Sequence, residues 1–267
     1  MKREFAVLGI VIALGVGILG GWFIPTPFTA PQEPSLLSVI KSRGTIKVGT
    51  SADYPPFENY NVTLDVIEGF DVDFAERIAD AIGVSGVTIE WSDIPFDNLI
   101  GACMSGEIDM IAAAMTYNED RAKSLAPSST YYSVSEAVIV KHSSSLSITS
   151  LANLTNYQVG CQSGTVMQDE LEAVGMTVGV NLTTFSSAQL LMADLDSGGI
   201  DAAYVDEPIF YAFNRTYDFK IIFSTAPEPL AFWTRYGEPE LLYVMDSVIL
   251  DGYQTGWVYD LVTEWFG

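Results

Sequence analysis

The hexapeptide SGEIDM at 105–110 returns as SGGIDA at 197–202. Each copy follows an apolar run at helical spacing and opens a run of strand length. Before the first stand Phe96, Leu99, Ile100, Cys103 and Met104, at i, i+3, i+4, i+7 and i+8. After it comes IDMIAAAM, almost continuously apolar, as a strand covered on both faces reads. Before the second lies an apolar helix from Ser187 to Ser197, and after it IDAAYV. Each junction is thus the helix-to-strand step of a βαβ unit. A strand carrying Val-Gly, at 48–49 and again at 159–160, precedes each. Two such units imply an α/β protein of two similar lobes, each a mostly parallel sheet flanked by helices. Sheets of this kind bind ligands beyond the carboxyl ends of their strands. Two of them can face those ends across a cleft.

The other segments fit that plan. LLSVIKSRG reads as a short helix closing on Gly44, and TIKVGTS as a strand. GFDVDFAERIADAIGV places Phe70, Phe74, Ile78 and Ile82 on one helical face with acids opposite. Asp73 and Glu76 suggest a capping box there, and Gly83 a helix stop. VTIEWSD is a strand, VSEAVIVK (134–141) an alternating one, and YQVGCQ (157–162) a copy of the first. A helix over 165–174, a strand at 182–185 and two helical segments after Glu238 complete the reading.

The N-terminus opens with Lys2 and Arg3, then runs uncharged from Phe5 to Ile24. Twenty residues at about 1.5 Å each span a hydrocarbon core of about 30 Å. Residues 1–24 are therefore expected to be a membrane anchor or signal peptide, with the body on the exported side. Proline-rich residues 25–35 read as a linker. With 12 basic and 34 acidic residues, net charge −22, the chain offers no basic face for nucleic acid. Four of its eight Asn residues (61, 153, 181, 214) head Asn-x-Thr sequons, in keeping with export. Cys103 and Cys161 read as packing residues with free thiols.

No catalytic constellation, metal-ligand spacing or cofactor loop emerges. The one His, His142, lies in a polar turn without a triad partner, and no Gly-rich phosphate loop is present. Polar residues do collect at the strand ends. Thr116 and Arg121 follow IDMIAAAM, and Asp206 follows IDAAYV. An Arg fork suits a carboxylate, and an acid in the other lobe suits an ammonium group, so the pair fits a zwitterion. Tyr54, Phe57 and Phe96 supply aromatic walls nearby. Taken singly, Arg121 reads as a surface partner of Glu119 or Asp120. Asp206 reads as a helix N-cap before Pro208, and Tyr54 and Phe96 as core.

The stretches GTIKVGTSADYPPFE, GFDVDFAERIADAIG, FDNLIGACMSGEIDMIAAAMTYNEDR, VGCQSGT, SGGIDAAYVDEP and the terminal EWFG resemble, in order from about 44 to 267, the polar amino-acid family of extracellular solute-binding proteins. The resemblance implies a two-lobed periplasmic-binding-protein-like (type II) fold joined by two hinge strands near 131–136 and 226–231. Lobe 1 is then 36–131 plus 231–267, and lobe 2 is 132–230. It implies a monomeric receptor, not an enzyme and without cofactor or metal. Such a receptor closes on a free, neutral or polar L-amino acid and delivers it to the membrane permease of an ABC importer. It sits at the outer face of the cytoplasmic membrane, held to the bilayer by its N-terminal segment, or is secreted. Carried over by position, the carboxylate falls to Arg121 and Thr116, with Ala114 beside them, and to the amides of Gly164, Thr165 and Val166. The ammonium falls to Asp206, the aromatic lid to Tyr54 and Phe96, and the side-chain pocket to Gln162. Ser51 stands where relatives that bind basic amino acids often carry Asp, which weighs against a Lys, Arg or His ligand. The fold family also implies two alternatives. One is an exported dehydratase of a cyclic aromatic amino-acid precursor, with Glu207 as the nearest candidate acid; the other is a sensory ligand-binding domain.

Overall fold

The computed structural model describes residues 33–267. The apolar segment expected at 1–24 and most of the 25–35 linker lie outside the described residues. Among the described residues no helix is long and apolar enough to cross a membrane.

Ser35 caps helix α1 (Leu36–Arg43) by accepting from the Ser38 amide. Strand β1 (Thr45–Thr50) follows. A small antiparallel meander comes next, β2 (Asp53–Tyr54), β3 (Glu58–Asn61) and β4 (Val66–Glu68), then α2 (Phe70–Asp80) and β5 (Thr88–Asp93). A 3-10 turn over Phe96–Asn98 runs into α3 (Leu99–Ser105), β6 (Met110–Ile111) and β7 (Leu125–Pro127). Strand β8 (Tyr132–Val134) crosses into the second lobe. That lobe holds β9 (Glu136–Lys141), β10 (Val159–Gln162), α4 (Val166–Ala173), β11 (Leu182–Phe185), α5 (Ala188–Ser197), β12 (Ala202–Asp206), α6 (Glu207–Phe213) and β13 (Phe219–Ser224). The chain returns through β14 (Glu228–Leu230) to β15 (Trp233–Arg235), α7 (Pro239–Thr255) and α8 (Trp257–Phe266).

The two five-stranded sheets share a plan. One has the order β5-β1-β6-β15-β7 and the other β11-β10-β12-β9-β13. The first three strands of each are parallel, and the strand beside them that follows a crossing segment, β15 or β9, is antiparallel. Strands β8 and β14 pair antiparallel, Tyr132 opposite Leu230, as the two crossing segments between the sheets.

The repeated hexapeptide now has a physical reading. Its glycines, Gly106 and Gly198, end α3 and α5 in the left-handed conformation. Its isoleucines, Ile108 and Ile200, cover the glycines of the Val-Gly pairs. A Cβ on Gly49 would stand 2.3 Å from Ile108 Cδ1, and one on Gly160 2.6 Å from Ile200 Cδ1. Its aspartates hold the neighbouring strand. Asp109 accepts from the Lys47 amide and Asp201 from the Gln158 amide, both at 2.9 Å. Helix end, packing contact and strand register are specified together, so the motif and its Val-Gly partner occur as a set.

Several local expectations need correction. The N-cap of α2 is Gly69; Asp73 lies inside the helix and accepts from Trp265 Nε1 at 2.7 Å instead of forming a capping box. Asp71, read as one of its solvent-side acids, is fully buried. Met104 leaves the expected apolar face and is exposed. The strand expected over 134–141 divides between β8 and β9. All of β9 but Lys141 is buried, because β9 is an interior strand with both faces covered. Phe57 lies in the core with Phe70 and Phe266 rather than at the cleft. The four sequon asparagines share a structural use: Asn61, Asn153, Asn181 and Asn214 each accept from a nearby backbone amide through Oδ1.

Candidate ligand-binding site

The carboxyl ends of β1 and of the run through β6, in one sheet, meet those of β10 and β12, in the other, around a small cavity, about 300 Å³ of space between atoms with the solvent at its mouth included. All ten positions singled out from the sequence line it, together with Asp53 and Met167. A wider groove of about 1630 Å³, solvent in its mouth included, runs outside it past Tyr132, Glu207 and Trp265. It is open and shares none of the ten.

One end of the cavity is cationic. Arg121 opens a single 3-10 turn that is pinned by Asn118 Oδ1, which accepts the Arg121 amide at 2.8 Å. Its side chain is not a surface partner: it is 7% exposed, and Asp120 pairs with Lys123 instead. Nη1 donates to Thr116 O at 2.6 Å, and Nη2 crosses the cleft to Gly164 O at 3.0 Å. The guanidinium lies 5.4 Å from the centre of the Phe96 ring. Burial lowers its pKa to about 10, against the pull of Asp169 and Asp206. Of its five N–H groups two are thereby used. Beside it Ala114 adopts φ 44°, in the left-handed region, and donates its amide to Asp71 Oδ2 at 2.7 Å. The Tyr131 hydroxyl donates to the same oxygen at 2.7 Å. From the other lobe the first turn of α4 presents Thr165 and Val166, whose amides have no intrahelical acceptor by position. The Gly164 amide is occupied by Gln168 Oε1 at 3.0 Å, which removes it from the expected set of donors.

The opposite end is acidic. Asp206 holds the N-cap position of α6, yet its side chain makes no capping bond. Instead Oδ2 accepts from the Tyr54 hydroxyl across the cleft at 2.9 Å. Oδ1 is buried without a partner among the described residues. Burial raises the Asp206 pKa to about 7, opposed by Tyr54 and Arg121. A buried cation and a buried anion around one small cavity can together neutralise a zwitterion.

The third side is polar. Ser51 Oγ donates to Asp53 Oδ1 at 2.6 Å. Asp53 also accepts from Gln162 Nε2, at 3.1 Å and 3.4 Å, and from the Ala188 amide at 2.7 Å. Gln162 and Ala188 belong to the second lobe, so Asp53, like Tyr54 and Arg121, bonds across a closed cleft. Burial raises the Asp53 carboxyl, opposed by these bonds. Sequence reasoning missed Asp53. The acid absent at Ser51 is supplied two residues on, at the start of β2 and just past the end of β1, where the rule about strand ends would have found it.

A second group of acids sits where β8 and β14 join the second lobe. Glu136, Glu170 and Glu228 bring carboxylate oxygens within 4.8 Å of one another. The Tyr204 hydroxyl contacts Oε2 of both Glu136 and Glu170. A phenol has one proton to donate, so the second contact needs a proton on a carboxyl. Burial, helped by Glu170, raises Glu136 to about 8.

Residues 46–267 match the family described as Bacterial extracellular solute-binding proteins, family 3. Among curated relatives, the Arginine-binding extracellular protein ArtP of Bacillus subtilis is 30% identical over 64% of each chain. The Probable histidine-binding protein of Campylobacter jejuni is 32% identical over 61% of this chain and 60% of that one. The chain thus spans less than two thirds of the length of either. The L-cystine-binding protein TcyJ of Escherichia coli, 27% identical, matches over 88% and 87%. Among solved structures, a P235GK mutant of ArgBP from T. maritima is 30% identical and superposes with a TM-score of 0.80, covering 86% of this chain and 98% of that one. The ancestral amino acid-binding protein AncCDT-1, titled a precursor of cyclohexadienyl dehydratase, is 28% identical with a TM-score of 0.79, covering 87% and 100%. These neighbours share the two-lobed periplasmic-binding-protein fold. By its matched span, its fold and the cavity between its lobes, this chain belongs to the bacterial extracellular solute-binding proteins, family 3.

Proposed function

We propose that the protein is an extracytoplasmic receptor that captures a free L-amino acid between its lobes and hands it to the permease of an ABC importer. One observation carries the reading. Arg121 and the unpartnered Oδ1 of Asp206 are both buried at a single cavity, on opposite lobes. Arg121, Thr116 and the first turn of α4 take the ligand carboxylate, with Ala114 beside them. Asp206 takes the ammonium, Tyr54 and Phe96 form the lid, and Ser51 and Gln162 meet the side chain. Closure follows as a population shift, because the cation and the anion both reach the ligand only when the lobes meet. We take lobe 1 as 36–131 plus 231–267 and lobe 2 as 132–230, in a monomer whose N-terminal segment anchors it outside the membrane or is removed.

The test is a thermal-shift screen of ligand-stripped protein against the twenty amino acids. A ligand at 100 times its Kd adds about 2.7 kcal/mol, raising the midpoint of a chain this size by roughly 5–10 °C. One or a few hits support the reading, and no shift with any amino acid overturns it. The dehydratase alternative needs a proton donor in the cavity. The candidate acid, Glu207, accepts from the Tyr211 hydroxyl and lines the outer groove, outside the cavity.

A further inference from the structure

Asp53 places a carboxylate on the third, polar side of the cavity, beside Ser51 and Gln162. The hydrogen bonds around it fix what the neighbouring polar atoms can offer. Gln162 turns its amide nitrogen toward Asp53, the only orientation an adjacent carboxylate permits. That contact spends one of the two N–H groups, shared between the carboxylate oxygens, and leaves the carbonyl oxygen, which only accepts, turned away from Asp53. Ser51 spends its one hydroxyl proton on Asp53, so its remaining capacity is likewise to accept. The Ala188 amide, at the start of α5, is spent on Asp53 as well. Two lining groups, the Ser51 hydroxyl and one N–H of Gln162, are thus committed to one carboxylate. The polar surface left there is dominated by the Asp53 charge and by the acceptor oxygens of Ser51 and Gln162.

We infer that Asp53 sets the specificity of the cavity, orienting Ser51 and Gln162 so that the ligand's side chain must carry N–H donors, an amide or a cation, and cannot be a carboxylate. The inference rests on the amino-acid reading above and narrows it. It also reverses the weight that Ser51 carried against basic ligands, since the negative group is present two residues later. A side-chain carboxylate would face the Asp53 carboxylate and Gln162 Oε1, a like charge and an acceptor. A site built to hydrogen-bond one group rejects an analogue lacking it by large factors, because its own polar atoms are then left unpaired.

The experiment is calorimetric titration of the ligand-stripped full chain with glutamine, asparagine, arginine, lysine, histidine, glutamate and aspartate, and with norvaline as an apolar control. The expected result is that the tightest ligand is one of the five N–H bearers, at least about 100-fold tighter than glutamate or aspartate. Asp53→Asn frees Gln162 to turn its amide over and should compress that ratio to below about 10-fold. An acidic or apolar ligand binding tightest overturns the inference while leaving the amino-acid reading intact. Affinities that all fall in parallel in Asp53→Asn, with the ratio kept, also overturn it, since Asp53 would then act only as a bond between the lobes. Binding of none of the eight, when the screen has found another amino acid, overturns the inference alone. Binding of no amino acid at all overturns both.

Discussion

Replacing Arg121 should separate ligand recognition from folding. Two of its N–H groups are held by Thr116 O and Gly164 O, which aim the fork rather than consume it. A charge-assisted hydrogen bond contributes roughly 1.5–3 kcal/mol. Lysine keeps the charge but not the paired N–H groups, so Arg121→Lys forfeits one such bond to the ligand. At about 1.4 kcal/mol per tenfold, affinity should fall roughly 10- to 150-fold. Arg121→Ala removes both bonds and the cation, and binding should weaken by more than about 1000-fold. Folding should respond the other way. Burial lowers Arg121 to about 10. At about 1.4 kcal/mol per pH unit, its charged form costs the ligand-free protein on the order of 3 kcal/mol. The ligand-free Ala variant should therefore melt no lower than the parent. The assays are calorimetric titration with the ligand found in the screen and a melt of stripped protein. Near-parental affinity in Arg121→Ala, or a melt that collapses without ligand, refutes the argument.

Burial raises Asp71 and Asp206 to about 7 and Glu136 to about 8. The folded ligand-free protein thus keeps protons that the unfolded chain releases near pH 4. Its stability should be fullest below that pH and fall as pH rises toward 8, seen as midpoints that drop between pH 5 and 8.5; a rise across that range contradicts the assignment. Gly164→Ala would bring a Cβ within 2.8 Å of Asp97 Cβ across the cleft, at φ 77°. It should weaken ligand binding at least about 10-fold and cost about 1 kcal/mol of stability. Small-angle scattering should show the variant failing to compact with ligand; full compaction would contradict the clash. Cys103 and Cys161 are buried free thiols, raised to about 12 by burial. They should ignore a thiol reagent in the native protein and count as two after denaturation without reductant; a count of zero would mean a disulfide.

The legible parts of the sequence were those where several local demands fall on adjacent residues. The hexapeptide sets a helix end, a packing contact and a strand register within six positions, so its repetition could be read as two lobes. The strand-end rule then pointed to Thr116, Arg121 and Asp206, and the family resemblance to Gln162. What stayed hidden was acids whose partners come from far along the chain. Asp71 is buried against an amide 43 residues away and a hydroxyl 60 away. Asp53 is satisfied by groups 109 and 135 residues distant. No local pattern separates such an acid from a solvated one, because its burial is decided by tertiary donors. The left-handed turn at Ala114 was equally silent, since alanine carries no signal for positive φ.

The position of β15 between β6 and β7 sets an order on biosynthesis. Until residue 235 has left the ribosome, the first sheet lacks an interior strand, and β6 presents an open edge to solvent. The second sheet is complete by residue 224 and can form first. The N-terminal half therefore waits, with its strand edge open to pairing with other chains, for the segment that arrives last. A chaperone that holds the nascent chain should find its substrate in β1, β5 and β6, and truncation before β15 should leave a chain that aggregates through that edge.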